Sequence, residues 1–127
     1  MNDVDQQFSN EELIRYSRHF VLPNFGSEGQ RKLKNSTVFV IGAGGLGCPV
    51  LLYLAAAGVG SITIIDDDMV SLSNLQRQIL FTTDDLNLSK AETASKKLSV
   101  FKALLKLAIC LRISSKTRVT GGLTLTK

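Results

Sequence analysis

A chain of 127 residues, 44% hydrophobic and 20% charged, has room for one small domain and the composition of an ordinary globular protein. Its longest apolar runs fall short of the roughly 18 residues that a transmembrane segment needs, and its acidic start, MNDVDQQFSNEEL, is neither a secretory signal nor an Arg-rich transit peptide, so a cytoplasmic location is expected. The net charge of +4 conceals a split, because residues 1–92 hold 7 Lys+Arg against 11 Asp+Glu whereas residues 93–127 hold 8 Lys+Arg and no acid, an abrupt change that marks a boundary.

In chain order, Ser9 and Glu12 form a capping box ahead of a helix in which Leu13, Tyr16 and Phe20 recur at helical spacing. PNFG at 23–26 ends it, and EGQRKLKN at 28–35 reads as a short polar helix or turn. Thr37 to Ile41 is short and almost wholly apolar, which predicts a strand of a parallel sheet buried on both faces. CPVLLYLAAAG follows the glycines as a helix, with Pro49 in its first turn and Gly58 as its cap. SITIIDDD at 61–68 is the second strand and closes a β-α-β unit. Residues 69–90 lack helical or strand periodicity, with Asp84 and Asp85 as turn material, and a helix resumes near Ser89. From Ser99, FKALLKLAICLRI sets Phe101, Leu104, Leu105, Ala108 and Ile109 on one helical face, and TRVTGGLTLTK suits two short strands around a Gly-Gly turn.

The chemistry concentrates in VFVIGAGGLG, residues 38–47. A β-branched strand enters a turn containing G-x-G-x-x-G, the phosphate-binding pattern of nucleotide folds. Gly42 permits the bend, Gly44 lets backbone approach phosphate oxygens, and Gly47 allows helix to pack on strand. Asp66, 19 residues after Gly47 at the end of the second strand, is placed to accept hydrogen bonds from ribose hydroxyls. Asp68, Asn74, Arg77 and Gln78 crowd the same end of the sheet, and Lys90 follows at a helix start. Cations beside a phosphate site neutralise charge that develops on a polyphosphate, a need of nucleotidyl transfer and not of hydride transfer. The alternative for Arg77 and Lys90 is solvated surface charge. Cys48 and Cys110 form no C-x-x-C pair, so buried thiols are expected rather than a disulfide or zinc, and the lone His19 is expected to pack rather than to bind a ligand.

The text RYSRHFVLPNFGSEGQRKLKNSTVFVIGAGGLGCPVLLYLAAAGVGSITIIDDDMVSLSNLQRQILF, with SKAETASKKL after it, resembles the bacterial ThiF/MoeB/HesA-type adenylyltransferases, which activate ubiquitin-like sulfur-carrier proteins for molybdopterin and thiamine synthesis. The resemblance covers residues 11–98. It implies a Rossmann-like, mostly parallel α/β sheet and an ATP and Mg2+ site. Gly42 and Gly44 would approach the nucleotide and Asp66 would hold the ribose, with Asp68 in the same set. Asn74, Arg77, Gln78 and Lys90 would contact phosphates, Arg77 and Lys90 stabilising charge during transfer. Arg18 matches an arginine that reaches into the partner subunit's site, which implies a homodimer. The reaction implied is attack by a carrier protein's C-terminal carboxylate on the α-phosphate of ATP. A nucleotide-binding and dimerisation module without catalysis is the alternative, and an NAD- or FAD-dependent oxidoreductase the weaker one. Neither nucleic-acid binding nor a transmembrane segment is expected.

After Leu98 the resemblance stops. The family's D-x-x-D-N segment, whose aspartate binds Mg2+, its carrier groove and its C-x-x-C zinc pairs have no counterpart, so no metal ligand is assigned. Three origins stay open for the basic tail: a shifted reading frame or altered gene end, a basic amphipathic helix for an anionic surface, or a small domain of its own. The expected organisation is a helical arm at 1–36, a Rossmann-like ATP-binding region at 37–98, truncated after the first β-α-β unit and its following helix, and a divergent basic tail at 99–127.

Overall fold

The computed structural model describes residues 7–101. The N-terminal arm holds three helices, α1 (Asn10–Arg15), α2 (Ser17–Phe20) and α3 (Gly26–Lys34). The capping box at the start of α1 forms in both directions: the Ser9 N–H donates to Glu12 Oε2 at 2.8 Å and the Glu12 N–H to Ser9 Oγ at 3.2 Å. The same Glu12 carboxylate accepts from Lys34 Nζ at 2.9 Å, tying α1 to the end of α3. Burial works to raise the Glu12 carboxyl, but Lys34 and the Ser9 bonds outweigh it and hold it below the ordinary value. The periodicity of Leu13, Tyr16 and Phe20 is interrupted at Tyr16 (φ −101°, ψ 13°), which separates α1 from α2.

Strands β1 (Thr37–Ile41) and β2 (Ser61–Ile65) pair in parallel, with Thr37 opposite Ser61 and Ile41 opposite Ile65. Between them runs α4 (Gly47–Ala57), apolar along its whole length, as a crossover helix over a sheet must be on the face it buries. It buries Cys48, Leu51 and Ala55 and ends at Gly58 in the left-handed region (φ 92°), as a helix-capping glycine should. Helix α5 (Lys90–Phe101) packs on α4 and β2. Ala91, Ala94 and Leu98 join Leu51, Ile62, Ile64, Leu80 and Phe81 in the core.

The structure corrects one expectation. β2 is buried on both faces, but β1 is not: Phe39 is 66% and Ile41 74% exposed, with only Val40 buried. Among the described residues Val40 joins the core with Ile62 and Ile64 of β2, whereas Phe39 and Ile41 are no part of it, so alternate residues of β1 face outward. The segment between β2 and α5 contains two single 3₁₀ turns, Leu72–Asn74 and Thr83–Asp85, closed by an antiparallel bridge between Met69 and Ser89. Asp85 is more than turn material. It caps its own turn through Thr82 and pairs with Lys97 of α5. The faces read at 104–109 and the strands read in TRVTGGLTLTK lie outside the described residues.

Candidate nucleotide-binding site

The glycine turn begins where the β ladder ends. The Gly42 N–H donates to Ile65 O at 2.8 Å, extending the sheet by one bond, and Gly42 then takes a φ of 94° that side chains oppose. Gly47 is fixed more strictly than the expected helix-on-strand contact requires. A Cβ there would lie 1.9 Å from the Gly42 carbonyl oxygen, whereas the nearest strand atom, Val40 Cγ1, is 4.0 Å away. Gly44 is different: a Cβ would meet only Gln78 Nε2, at 3.8 Å. Among the described residues the N–H groups of Gly44, Gly45, Leu46 and Gly47 donate to nothing. They cluster at the N-terminus of α4, whose dipole and free amides favour an anion.

Acidic and basic groups interlock beside this turn. Asp66 Oδ2 accepts the Ala43 N–H at 2.7 Å and Oδ1 accepts the Asp68 N–H at 2.8 Å. Lys90, the first residue of α5, donates its backbone N–H to Asp68 O at 3.0 Å and its Nζ to Asp68 Oδ2 at 3.3 Å. Only 5% of Lys90 is exposed, which excludes solvated surface charge for that residue. Cys48 lies under the turn, its thiol 3.4 Å from Ala43 O. Burial pushes that thiol up, so it stays protonated near neutral pH and is no nucleophile. Asp66 and Lys90 both act on it electrostatically, which brings the acid, the lysine and the turn into one neighbourhood.

Gln78 is buried below Gly44, and its Oε1 has no hydrogen-bond partner among the described residues. Arg77 is exposed, its stem 3.4 Å from the position of a Cβ on Gly45, with Nη1 donating to Ser73 O. Gly45, which the motif spacing left without a role, is thus where Arg77 lies across the turn. Asn74 uses Oδ1 to accept the Ser71 N–H, which closes the 3₁₀ turn that precedes Arg77. Gly42, Gly44, Asp66, Asp68, Arg77, Gln78 and Lys90 therefore meet at one end of the sheet. Arg18, exposed on α2, makes no side-chain hydrogen bond or ion pair with the described residues. His19 packs as expected, its Nδ1 2.7 Å from Gln30 Oε1 and its ring stacked on Tyr16.

The carboxylates of Asp66, Asp67 and Asp68 offer oxygens within 4.8 Å of one another. Two of the three are committed to protein donors, Asp66 to backbone amides and Asp68 to Lys90, so the triad does not fit a dedicated Mg2+ centre. A cleft of about 650 Å³ near Leu22, Phe25 and Leu33 belongs to the N-terminal arm and shares no residue with this site. Among the described residues no helix is long and apolar enough to cross a membrane.

Known proteins resemble this chain in sequence and in fold. The chain is 54% identical over 94 residues to adenylyltransferase and sulfurtransferase UBA4 of Scheffersomyces stipitis, covering 73% of this chain and 21% of that protein. It is 47% identical over 111 residues to the sulfur carrier protein adenylyltransferase of Thermus thermophilus, covering 87% and 41%. It therefore spans between about a fifth and two fifths of these relatives' length. The crystal structure of E. coli tRNA N6-threonylcarbamoyladenosine dehydratase, TcdA, in complex with ATP superposes with a TM-score of 0.73 at 27% identity, over 80% of this chain and 41% of that one. The ThiF family model matches residues 16–114, running past Leu98 into the basic segment. That match covers well over half of the chain, and the chain belongs to the ThiF family.

Proposed function

We propose that the open end of α4 binds ATP and that the chain belongs to an enzyme that adenylylates the C-terminal carboxylate of a ubiquitin-like sulfur-carrier protein. The observation that carries this reading is the cluster of four free turn amides beside a buried Lys90. The amides of Gly44 to Gly47 hold phosphate oxygens, and Asp66 accepts from ribose hydroxyls with the lone pairs its two backbone bonds leave free. Gln78 and Asn74 line the phosphate path. Arg77 has guanidinium donors beyond its single bond to Ser73, and Lys90 has ammonium protons beyond the one on Asp68. As the carrier carboxylate oxygen bonds to the α-phosphorus and the bond to the β-phosphate breaks, these two cations stabilise charge moving onto pyrophosphate. No side chain acts as a nucleophile, and the rate enhancement comes from positioning and electrostatics. Mg2+ enters as the companion of ATP, with no ligand assigned in this chain.

Arg18, exposed and without a side-chain partner among the described residues, is available to reach a second subunit's site, and a cytoplasmic homodimer completes the proposal. The 127 residues contain no D-x-x-D-N segment, so the chain alone is expected to bind ATP with little ATP–pyrophosphate exchange. Exchange measured with purified chain and a sulfur-carrier protein checks this. Robust carrier-dependent exchange overturns the inactive state, and ATP binding without exchange supports a nucleotide-binding module. Tight NAD binding would instead favour the oxidoreductase alternative.

A further inference from the structure

We propose that Asp66 is a positioning residue that sets the glycine turn in its phosphate-ready shape before any ligand arrives, in addition to the ribose role that rests on the reading above. Its two carboxylate oxygens accept backbone N–H groups from two different loops, Ala43 in the turn after β1 and Asp68 in the segment after β2. Ala43 is fully buried and sits between Gly42 and Gly44, the two most permissive positions of the turn. Its carbonyl is held as well, by the Cys48 thiol. With Ala43 fixed on both sides, the next four amides project toward the ligand instead of sampling the many conformations open to a glycine-rich segment. The second bond orients Asp68, which in turn holds Lys90 by backbone and side chain. One carboxylate thus arranges both the amides and the ammonium.

Inorganic tripolyphosphate separates this role from ribose binding, because it has phosphates and no ribose. Removing a carboxylate from beside an anion site should by simple Coulomb attraction strengthen tripolyphosphate binding. A positioning role predicts the opposite, a roughly 10-fold weaker Kd for the folded Asp66→Ala chain, measured well below its melting temperature. Asp67→Asn removes the same charge one residue away, from an exposed side chain without a hydrogen-bond or ion-pair partner among the described residues, and should not weaken binding. Amide hydrogen exchange on the full-length chain without ligand gives an independent reading. Asp66→Ala should accelerate exchange about 10-fold or more at both Ala43 and Asp68, and Asp66→Asn, which keeps one acceptor oxygen, at only one of them. Tripolyphosphate affinity unchanged or improved in Asp66→Ala overturns the inference while leaving ATP binding intact. If the wild-type chain binds no tripolyphosphate, the exchange rates alone decide: unchanged protection at Ala43 and Asp68 overturns the positioning role, and lost protection supports it; if it binds no ATP either, the nucleotide reading fails separately.

Discussion

The two ends of α4 are both made by glycines and are finished in opposite ways. At the C-terminal end Gly58 lies beneath Tyr16 and Gln30: a Cβ there would meet Gln30 Nε2 at 2.6 Å and the Tyr16 ring at 2.7 Å. Gln30 Nε2 also donates to Ala57 O, so the end is capped by side chains from the arm. At the N-terminal end the turn from Gly42 to Gly47 is held by Asp66 through the Ala43 N–H, and the four amides that follow donate to nothing among the described residues. One glycine cluster serves packing and the other serves approach. The motif is the same residue type in both, and only the neighbours tell them apart.

Substitution by the same methyl group should break the two ends differently. Gly58→Ala meets both left-handed strain and a packed ring, and is expected to cost about 3 kcal/mol of stability. Thermal melting checks this, and the ATP affinity of the folded fraction should not change. Gly44→Ala has room for its Cβ and should leave the melting temperature within a degree or two, while weakening ATP roughly 10-fold by occupying the approach of the phosphates. Equal effects at the two ends would erase the distinction.

Lys90→Ala should weaken ATP by a further measure of the same size, about 10-fold, because a charge-assisted bond to phosphate is lost. It also leaves Asp68 without its partner, so Asp68→Asn combined with Lys90→Ala should recover part of the stability but none of the affinity. Binding calorimetry and melting on the three variants test this.

Acid unfolding gives a smaller contrast. The carboxyls of Glu12, at the plugged end, and of Asp85, beneath the α5 helix, both lie below their ordinary values. In Asp85 burial works to raise it, and Lys97 with Thr82 overcomes that. Depressed carboxyls contribute stability that is complete above the unfolded value, near 4, and is lost as pH falls through the lower folded value. Melting temperature is therefore expected to be flat from pH 7 to about 5 with respect to these groups and to fall below about 4. Glu12→Gln should lower it at neutral pH and make the acid decline shallower. The smallest effect is expected at Cys48, whose buried thiol should resist alkylation in the folded chain and react on unfolding.

Features that depend on local backbone geometry were legible in the sequence. Ser9 with Glu12, Gly58 after an apolar helix, and the spacing of Gly42, Gly44 and Gly47 each follow from a conformation that few residues satisfy. Features that depend on distant neighbours were not. The apolar text of β1 is the same whether one face or both are covered, so nothing in it marks Phe39 and Ile41 as exposed. The burial of Lys90 requires Asp68, 22 residues earlier in the chain, to meet it. The plug on Gly58 comes from Tyr16 and Gln30, which no spacing connects to it. Arg77 over Gly45 joins two loops in the same way.

The central claim is that the open end of α4 is an ATP site. Titration calorimetry of the 127-residue chain with ATP and with NAD, on wild type and on Gly44→Val, tests it most directly. The account predicts saturable ATP binding that is lost in Gly44→Val at an unchanged melting temperature, with NAD at least about 100-fold weaker. A folded wild-type chain that binds no ATP, or that binds NAD more tightly, would contradict it.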